Sequence, residues 1–175
     1  LCHKNNIKVI EDSACAVQSF YKGKACGTIG DMGVWSFDSM KTICTGDGGM
    51  IYFKSLDDLI IAKELLYLGL PANATSGIDS SVRNSNWWEF EINRPGRRAI
   101  MNNIAGAIGC IQMDKLPNFL KIRKQIFEKY YSELKDIDWL DLPHKPIFNA
   151  ESSYYFFWIQ TKVRDQLSKH LLKHG

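Results

Sequence analysis

Two short apolar runs, Val34–Phe37 and Met50–Phe53, flank a polar segment that holds one lysine, Lys41, and closes on the turn Gly46-Asp47-Gly48-Gly49. Runs this short, bounded by turn residues, suit buried strands better than helices, which need a longer periodic stretch. Gly30-Asp31-Met32-Gly33 supplies the turn that feeds the first run, and glycine is the usual residue where a chain must reverse tightly. A sheet is therefore expected, with a primary amine on the connection between two of its strands. Such a lysine is either a solvated loop residue or a reactive amine, and spacing alone leaves both open.

The flanking sequence extends this pattern into an α/β chain. Ile7–Glu11 is a β-branched run suited to a buried strand, and it leads to Asp12 and the small residues Ser13, Ala14 and Ala16. An acid past the C-terminal end of a strand sits where open α/β sheets bind ligands; the same acid could equally cap a short helix. Phe20–Gly27 reads as a hairpin turning at Lys22-Gly23-Lys24. Ser55 is placed to cap a helix through Leu59 and Leu66, with Asp57 and Asp58 favoured by the dipole in its first turn, and Gly69 and Pro71 end it.

Residues 71–86 are polar and read as a loop, and Trp87–Ile92 as an aromatic strand. Trp87 and Trp88 suit packing better than sugar stacking. Arg94, Arg97 and Arg98 surround Pro95-Gly96, either as a solvated turn or as an anion site. Asn102 or Asn103 caps a helix through Ile104, Ile108 and Met113; Pro117 is expected to break it, with a second helix over Asn118–Leu134. A proline-containing linker, 136–151, leads to a strand at Tyr154–Thr161 and a helix from Val163 to Lys173. The last two elements suggest the start of a second domain.

Composition narrows the function classes. The net charge is +3 from 22 basic and 19 acidic residues, too balanced to suggest a nucleic-acid partner. No window is apolar for long enough to span a bilayer. The five cysteines, Cys2, Cys15, Cys26, Cys44 and Cys110, are odd in number and lack CxxC spacing. Neither a disulfide framework nor a metal site is suggested, and reduced thiols in a cytoplasmic protein are expected. The chain opens on Leu1 and stops at Gly175, and both ends read as cuts within a longer protein.

Several blocks, in order and spacing, resemble one family. They are Val9-Ile10-Glu11-Asp12-Ser13-Ala14, Tyr21-Lys22-Gly23-Lys24, Gly30–Phe37, Lys41, Thr45–Met50 and Met101–Gly109. Together they are similar to the DegT/DnrJ/StrS family of pyridoxal-phosphate-dependent nucleotide-sugar aminotransferases, which have the aspartate-aminotransferase fold, fold type I. The resemblance implies the C-terminal part of the large cofactor-binding domain over residues 1–134, a mixed, mostly parallel sheet with flanking helices. Residues 135–175 would then begin an incomplete α/β small domain.

Roles follow from the same resemblance. Lys41 matches the lysine that holds pyridoxal 5'-phosphate as an internal aldimine and moves protons; burial is expected to lower its pKa. Asp12 matches the acid beneath the pyridine nitrogen, and Ser36 a hydroxyl donor to the cofactor phosphate. Cys15 stands where the family usually has glutamine or histidine near the ring oxygen. Arg98 stands where an asparagine commonly reaches the phosphate of the neighbouring subunit's cofactor. The upstream phosphate cup and the stacking aromatic of the family are not in this chain. A nucleotide-linked keto-deoxy sugar, an amino donor such as glutamate, and a homodimer with a shared active site are implied. The alternatives are a keto-deoxy sugar dehydratase, whose family members generally carry histidine in place of the lysine, and a non-catalytic regulatory or remnant relative.

Overall fold

The computed structural model describes residues 1–71, 92 and 94–175. Strand β1 (Ile10–Asp12) lies parallel to β4 (Met32–Ser36), and β4 pairs antiparallel with β5 (Gly49–Phe53), giving a mixed sheet of order β1-β4-β5. A second small sheet joins β2 (Phe20–Tyr21) and β3 (Lys24–Ala25) as the expected hairpin. Its turn residues Lys22 and Gly23 have φ of 50° and 74°, the mirror-image turn that matches strand twist. The third strand of this sheet is β6 (Ala150–Glu151), which pairs with β2 from more than a hundred residues away.

β1 begins three residues later than the apolar run predicts. Val9 commits its backbone to the Asp31 turn: its N–H donates to Asp31 Oδ2 at 2.8 Å, and its carbonyl accepts from the amides of Asp31 and Met32. Asp12 is accordingly the last residue of the strand and not the first beyond it. Its carboxylate accepts the Ala14 N–H at 3.1 Å and no helix follows, so the capping alternative resolves as a local turn. Glu11 points the other way, where Oε1 and Oε2 accept the amides of Gly27, Ile29 and Gly30 at 2.7, 2.6 and 2.5 Å. This contact ties the turn ahead of β4 to β1. The close approach needs glycine at position 33, where a Cβ would collide with the Gly27 carbonyl.

Helix α1 (Leu56–Leu66) starts where expected, with the Ser55 hydroxyl accepting the Asp58 N–H at 3.3 Å. Gly69, at φ 79°, returns its N–H to the Glu64 carbonyl beyond the helix end. Helix α2 (Asn103–Leu134) is capped by Asn102, whose Oδ1 accepts the Ala105 N–H at 2.9 Å. Contrary to expectation it does not break at Pro117, which lies inside one 32-residue helix. An internal proline costs about 3 kcal/mol through a lost hydrogen bond and a clash. The preceding Leu116 is 2% exposed, and Phe127 further along is also buried; burial of side chains of this size contributes about 1.5–3 kcal/mol each. Packing on both sides of the proline therefore outweighs the local penalty.

The aromatic run at 154–161 also departs from expectation. It forms no ladder beyond a single bridge from Gln160 to Asp141. Tyr154 and Phe157 pack onto α2 instead, with Phe127 5.0 Å from Tyr154 and 5.1 Å from Phe157, and Tyr130 5.2 Å from Phe157, while Phe156 and Trp158 stay exposed. High strand propensity is a fit to a pleated, half-buried surface, and the flank of α2 half-buries Tyr154 and Phe157 in the same way. Helix α3 (Arg164–His174) follows as the periodicity predicts. The loop read at 71–86 and the strand read at Trp87–Ile92 lie, apart from Pro71 and Ile92, outside the described residues.

Among the described residues the buried apolar side chains are Trp35 on β4, Ile43 on the Lys41 loop, and Ala105, Leu116 and Phe127 on α2. The core thus sits between the first sheet and α2, under the loop that carries the lysine. No helix among the described residues is long and apolar enough to cross a membrane.

Candidate active site

The parallel pairing of β1 and β4 brings the C-terminal ends of both strands to one edge. Asp12 is opposite Val34, and Ser36 lies two residues further along the same edge. Beyond it the chain turns sharply: the Asp38 carbonyl accepts the Lys41 N–H at 2.9 Å, and Asp38 Oδ1 accepts the Met40 N–H. The loop returns when the Phe37 carbonyl accepts the Thr45 N–H and the Gly48 carbonyl accepts the Phe37 N–H, both at 2.9 Å. With Ile43 and Thr45 buried beneath it, the loop is held at both ends and Lys41 projects half-buried from its middle.

The Lys41 ammonium does not meet a carboxylate. Its Nζ donates to Cys15 Sγ at 3.3 Å, and lies 5.6 Å from the centroid of the Tyr155 ring. Asp12 and Cys15 line one cavity of about 520 Å³, whose far wall is the 143–156 segment with His144, Tyr154 and Tyr155. Ser36 Oγ accepts the Asp38 N–H at 3.3 Å, which leaves its own proton free to donate outward.

That far wall is pinned by serines. Ser153 is buried; its hydroxyl donates to the Cys15 carbonyl at 3.2 Å, and its N–H donates to Ser19 Oγ at 3.0 Å. The Ser19 hydroxyl in turn donates to Ser153 Oγ. Every hydroxyl in this cluster has a partner, as buried polar groups require. The turn after β1 and the segment after β6 are thereby fastened directly at Cys15.

The structure thus brings Lys41 and Cys15 into contact, sets Asp12 on the same cavity as Cys15, and puts Ser36 at the root of the lysine loop. Arg98 is elsewhere. It is exposed, bridges to Tyr67 at the end of α1, and stacks its guanidinium 5.9 Å from that ring. Arg94 is apart from it too, paired with Glu64 at 2.9 Å. The arginine triplet does not form one anion site within the chain. Sequence reasoning missed Tyr155, Arg123 and Ser153, which looked like core or surface residues. The one available signal was the density of hydroxyl-bearing residues at Ser152–Tyr155, which a purely packed strand does not need.

One electrostatic expectation is reversed. Burial was expected to lower the Lys41 pKa; it is raised above the ordinary lysine value. The hydrogen bond to Cys15 is the largest cause, and it outweighs the opposing desolvation. The amine is therefore held protonated while the thiol is its partner. Cys15→Ala should return Lys41 toward ordinary basicity and increase its rate of reaction with an amine reagent at pH 8 severalfold, measured by peptide mass mapping.

A carbonyl-bearing, anionic aromatic cofactor fits this donor set: an amine to bond it, a carboxylate to meet a ring nitrogen, and an outward hydroxyl for a phosphate oxygen. Among the described residues no group of three or more His, Cys, Asp or Glu side chains is arranged to hold a metal ion.

The family model described as the DegT/DnrJ/EryC1/StrS aminotransferase family matches residues 1–175. The chain is 40% identical, over 99% of its length and 45% of the relative's, to dTDP-4-dehydro-2,3,6-trideoxy-D-glucose 4-aminotransferase of Saccharopolyspora spinosa. It is 33% identical to the GDP-perosamine synthase of Caulobacter vibrioides over 98% of the chain and 44% of that protein. Among solved structures, the aminotransferase TlmJ from Streptoalloteichus hindustanus superposes with a TM-score of 0.88 at 40% identity, covering 99% of this chain and 44% of that one. A Streptococcus pneumoniae chain solved in PLP-, PMP- and apo-forms is 25–26% identical, with a TM-score of 0.80 over 97% of this chain and 42% of that one. The chain therefore spans less than half the length of the relatives it matches.

Proposed function

This chain belongs to the DegT/DnrJ/EryC1/StrS aminotransferase family, and from that membership we propose that the native protein is a pyridoxal-phosphate-dependent aminotransferase acting on a nucleotide-linked keto-deoxy sugar. The observation that carries the reading is Lys41: a half-buried amine on a loop anchored at both ends, beside the cavity that Asp12 and Cys15 line. The bound cofactor would supply the electron sink that lets an amino group pass between an amino acid and a carbonyl compound. Lys41 would hold it and then carry protons between donor and acceptor carbons. Asp12 would keep a ring nitrogen protonated, and the Ser36 hydroxyl would donate to the phosphate. The Lys41–Cys15 contact must open for the amine to bond a carbonyl, since only the unprotonated amine is a nucleophile.

The amino donor in this reading is an amino acid such as glutamate. A nucleotide-linked sugar as the substrate in this reading is supported by the dTDP and GDP in the names of the two relatives given above. Residues 1–134 belong to the large cofactor domain and 135–175 open the small domain, with β6 and Ser153 joining the second unit back to the first. The protein works as a homodimer in the cytoplasm. Arg98, exposed at the end of α1, is available to reach the phosphate of the cofactor in a neighbouring subunit.

The test is product analysis on the native full-length protein with pyridoxal phosphate and keto-deoxy nucleotide sugars, with and without glutamate. An amino sugar formed only when glutamate is present is expected. A deoxygenated sugar formed without net transfer of nitrogen would replace this reading with the dehydratase, against which Lys41 itself argues.

A further inference from the structure

Tyr155 lies more than a hundred residues from Lys41 in sequence, yet it touches the lysine loop twice. Its hydroxyl donates to the carbonyl of Met40, the residue immediately before Lys41, at 2.7 Å. The face of its ring lies 5.6 Å from Lys41 Nζ, within the range of a cation–π contact. The tyrosine is itself clamped from α2. Arg123 Nη1 donates to the Tyr155 carbonyl at 3.2 Å, and the guanidinium sits 5.5 Å from the same ring. Phe156 meets that ring edge-on at 4.5 Å.

The backbone just before Tyr155 is unusual in the same sense. Tyr154 has φ of 50°, a left-handed conformation uncommon for a bulky residue. Residues held this way persist only where their surroundings over-determine them. Here Tyr154 is fixed by its ring against Phe127 and by its N–H donating to Ser152 Oγ at 3.0 Å. Ser153, one residue earlier, is bonded to Cys15 and Ser19. The left-handed step lets consecutive residues face opposite partners: Tyr154 the helix, Tyr155 the lysine loop. A tyrosine serving only to fill the core would require none of these directional contacts.

We infer that Tyr155 is a positioning residue for Lys41, its ring capping the amine and its hydroxyl fixing the loop at the Met40 carbonyl. The inference rests on the reading of Lys41 as the cofactor amine. Its physical content is that the amine of a loop anchored at Phe37 and Thr45 still needs a third restraint near its midpoint, because reaction requires the amine within a fraction of an ångström of its target. The charged and titratable groups around the amine are Cys15 from the turn after β1, Asp38 from its own loop, Tyr155 from the segment after β6, and Arg123 from α2 behind the ring. The hydrogen bond to Cys15 favours the ammonium form most, Tyr155 and Asp38 add to it, and desolvation opposes it.

The experiment uses the native full-length protein, its Tyr155→Phe and Tyr155→Leu variants, and two probes. Acetic anhydride reports the protonation of Lys41 through the pH dependence of its acetylation, read by peptide mass mapping; amide hydrogen exchange reports the loop. Tyr155→Leu should raise Lys41 acetylation at pH 8 about threefold, whereas Tyr155→Phe should keep the wild-type profile because it keeps the ring. Both should speed exchange across residues 39–42, since both lose the hydroxyl. Pyridoxal phosphate is the second probe, and its apparent affinity should fall about tenfold in Tyr155→Leu. Wild-type acetylation and exchange in Tyr155→Leu would overturn the inference. Should Tyr155→Leu fail to fold, unchanged loop exchange in Tyr155→Phe would overturn it. If the wild-type protein never captures pyridoxal phosphate at Lys41 while acetylation and exchange respond as expected, the cofactor reading falls and the positioning of Lys41 by Tyr155 stands.

Discussion

Lys41→Ala in the native protein should abolish both the covalent pyridoxal phosphate absorbance band and turnover. The two losses share one cause. In the proposed function the same amine both bonds the cofactor and carries the protons. Loss of proton transfer alone costs about 10²–10⁴ in rate, and loss of covalent anchoring adds to it. Lys41→Arg keeps the charge, the reach toward Cys15 and the cation–π contact with Tyr155, yet it should fail equally, because a guanidinium stays protonated at any working pH. Measuring absorbance and kcat for both variants separates a chemical role from a merely electrostatic one. Retention of kcat within about tenfold in Lys41→Ala would remove the lysine from the mechanism.

The second large effect is on the fold. Glu11→Gln should lower unfolding stability by about 2 kcal/mol, the range for hydrogen bonds to a charged group. Three backbone amides, Gly27, Ile29 and Gly30, converge on this one carboxylate. An amide side chain offers one acceptor oxygen and turns donors toward the rest. Burial by itself would raise the Glu11 pKa; the three amides outweigh that and lower it below 4.5. The sign of the pH dependence follows. The stabilisation is present above the ordinary carboxylate pKa and is lost as pH falls through the lowered value in the folded protein. Urea unfolding at a series of pH values should therefore show the wild-type and Glu11→Gln curves far apart at pH 7 and converging in acid. Parallel curves down to the lowest pH would exclude Glu11 as the acid-labile tie.

Much of the local structure was legible because it depends on near neighbours. The Lys22-Gly23 hairpin turn, the Ser55 cap and the Asn102 cap each need only a few consecutive residues, and each formed where its chemistry indicated. The misreadings share the opposite property. Pro117 is a breaker by local rules, yet α2 continues through it because Leu116 and Phe127 are buried against partners distant in sequence. The run from Tyr154 has strand propensity, but Tyr154 and Phe157 pack on α2. Val9 left the strand because Asp31 claimed its backbone.

The candidate site divides in the same way. Lys41 and Asp12 could be picked out as candidates by type and position, because a strand followed by a short polar turn delivers its next residues to one sheet edge; their roles, and Ser36 altogether, came from the family resemblance. Their surroundings were not readable. That Cys15 accepts a hydrogen bond from the Lys41 ammonium, so that the amine's basicity rises when burial alone would lower it, depends on a 3.3 Å contact between two loops. That Tyr155 covers the amine depends on a left-handed residue at 154, and on an arginine one helix away. The linear chain by itself determined which groups could carry chemistry and the order of elements that presents them. The tertiary structure decided the protonation, restraint and orientation of those groups, because these are set by partners within a few ångströms that the chain brings together only on folding.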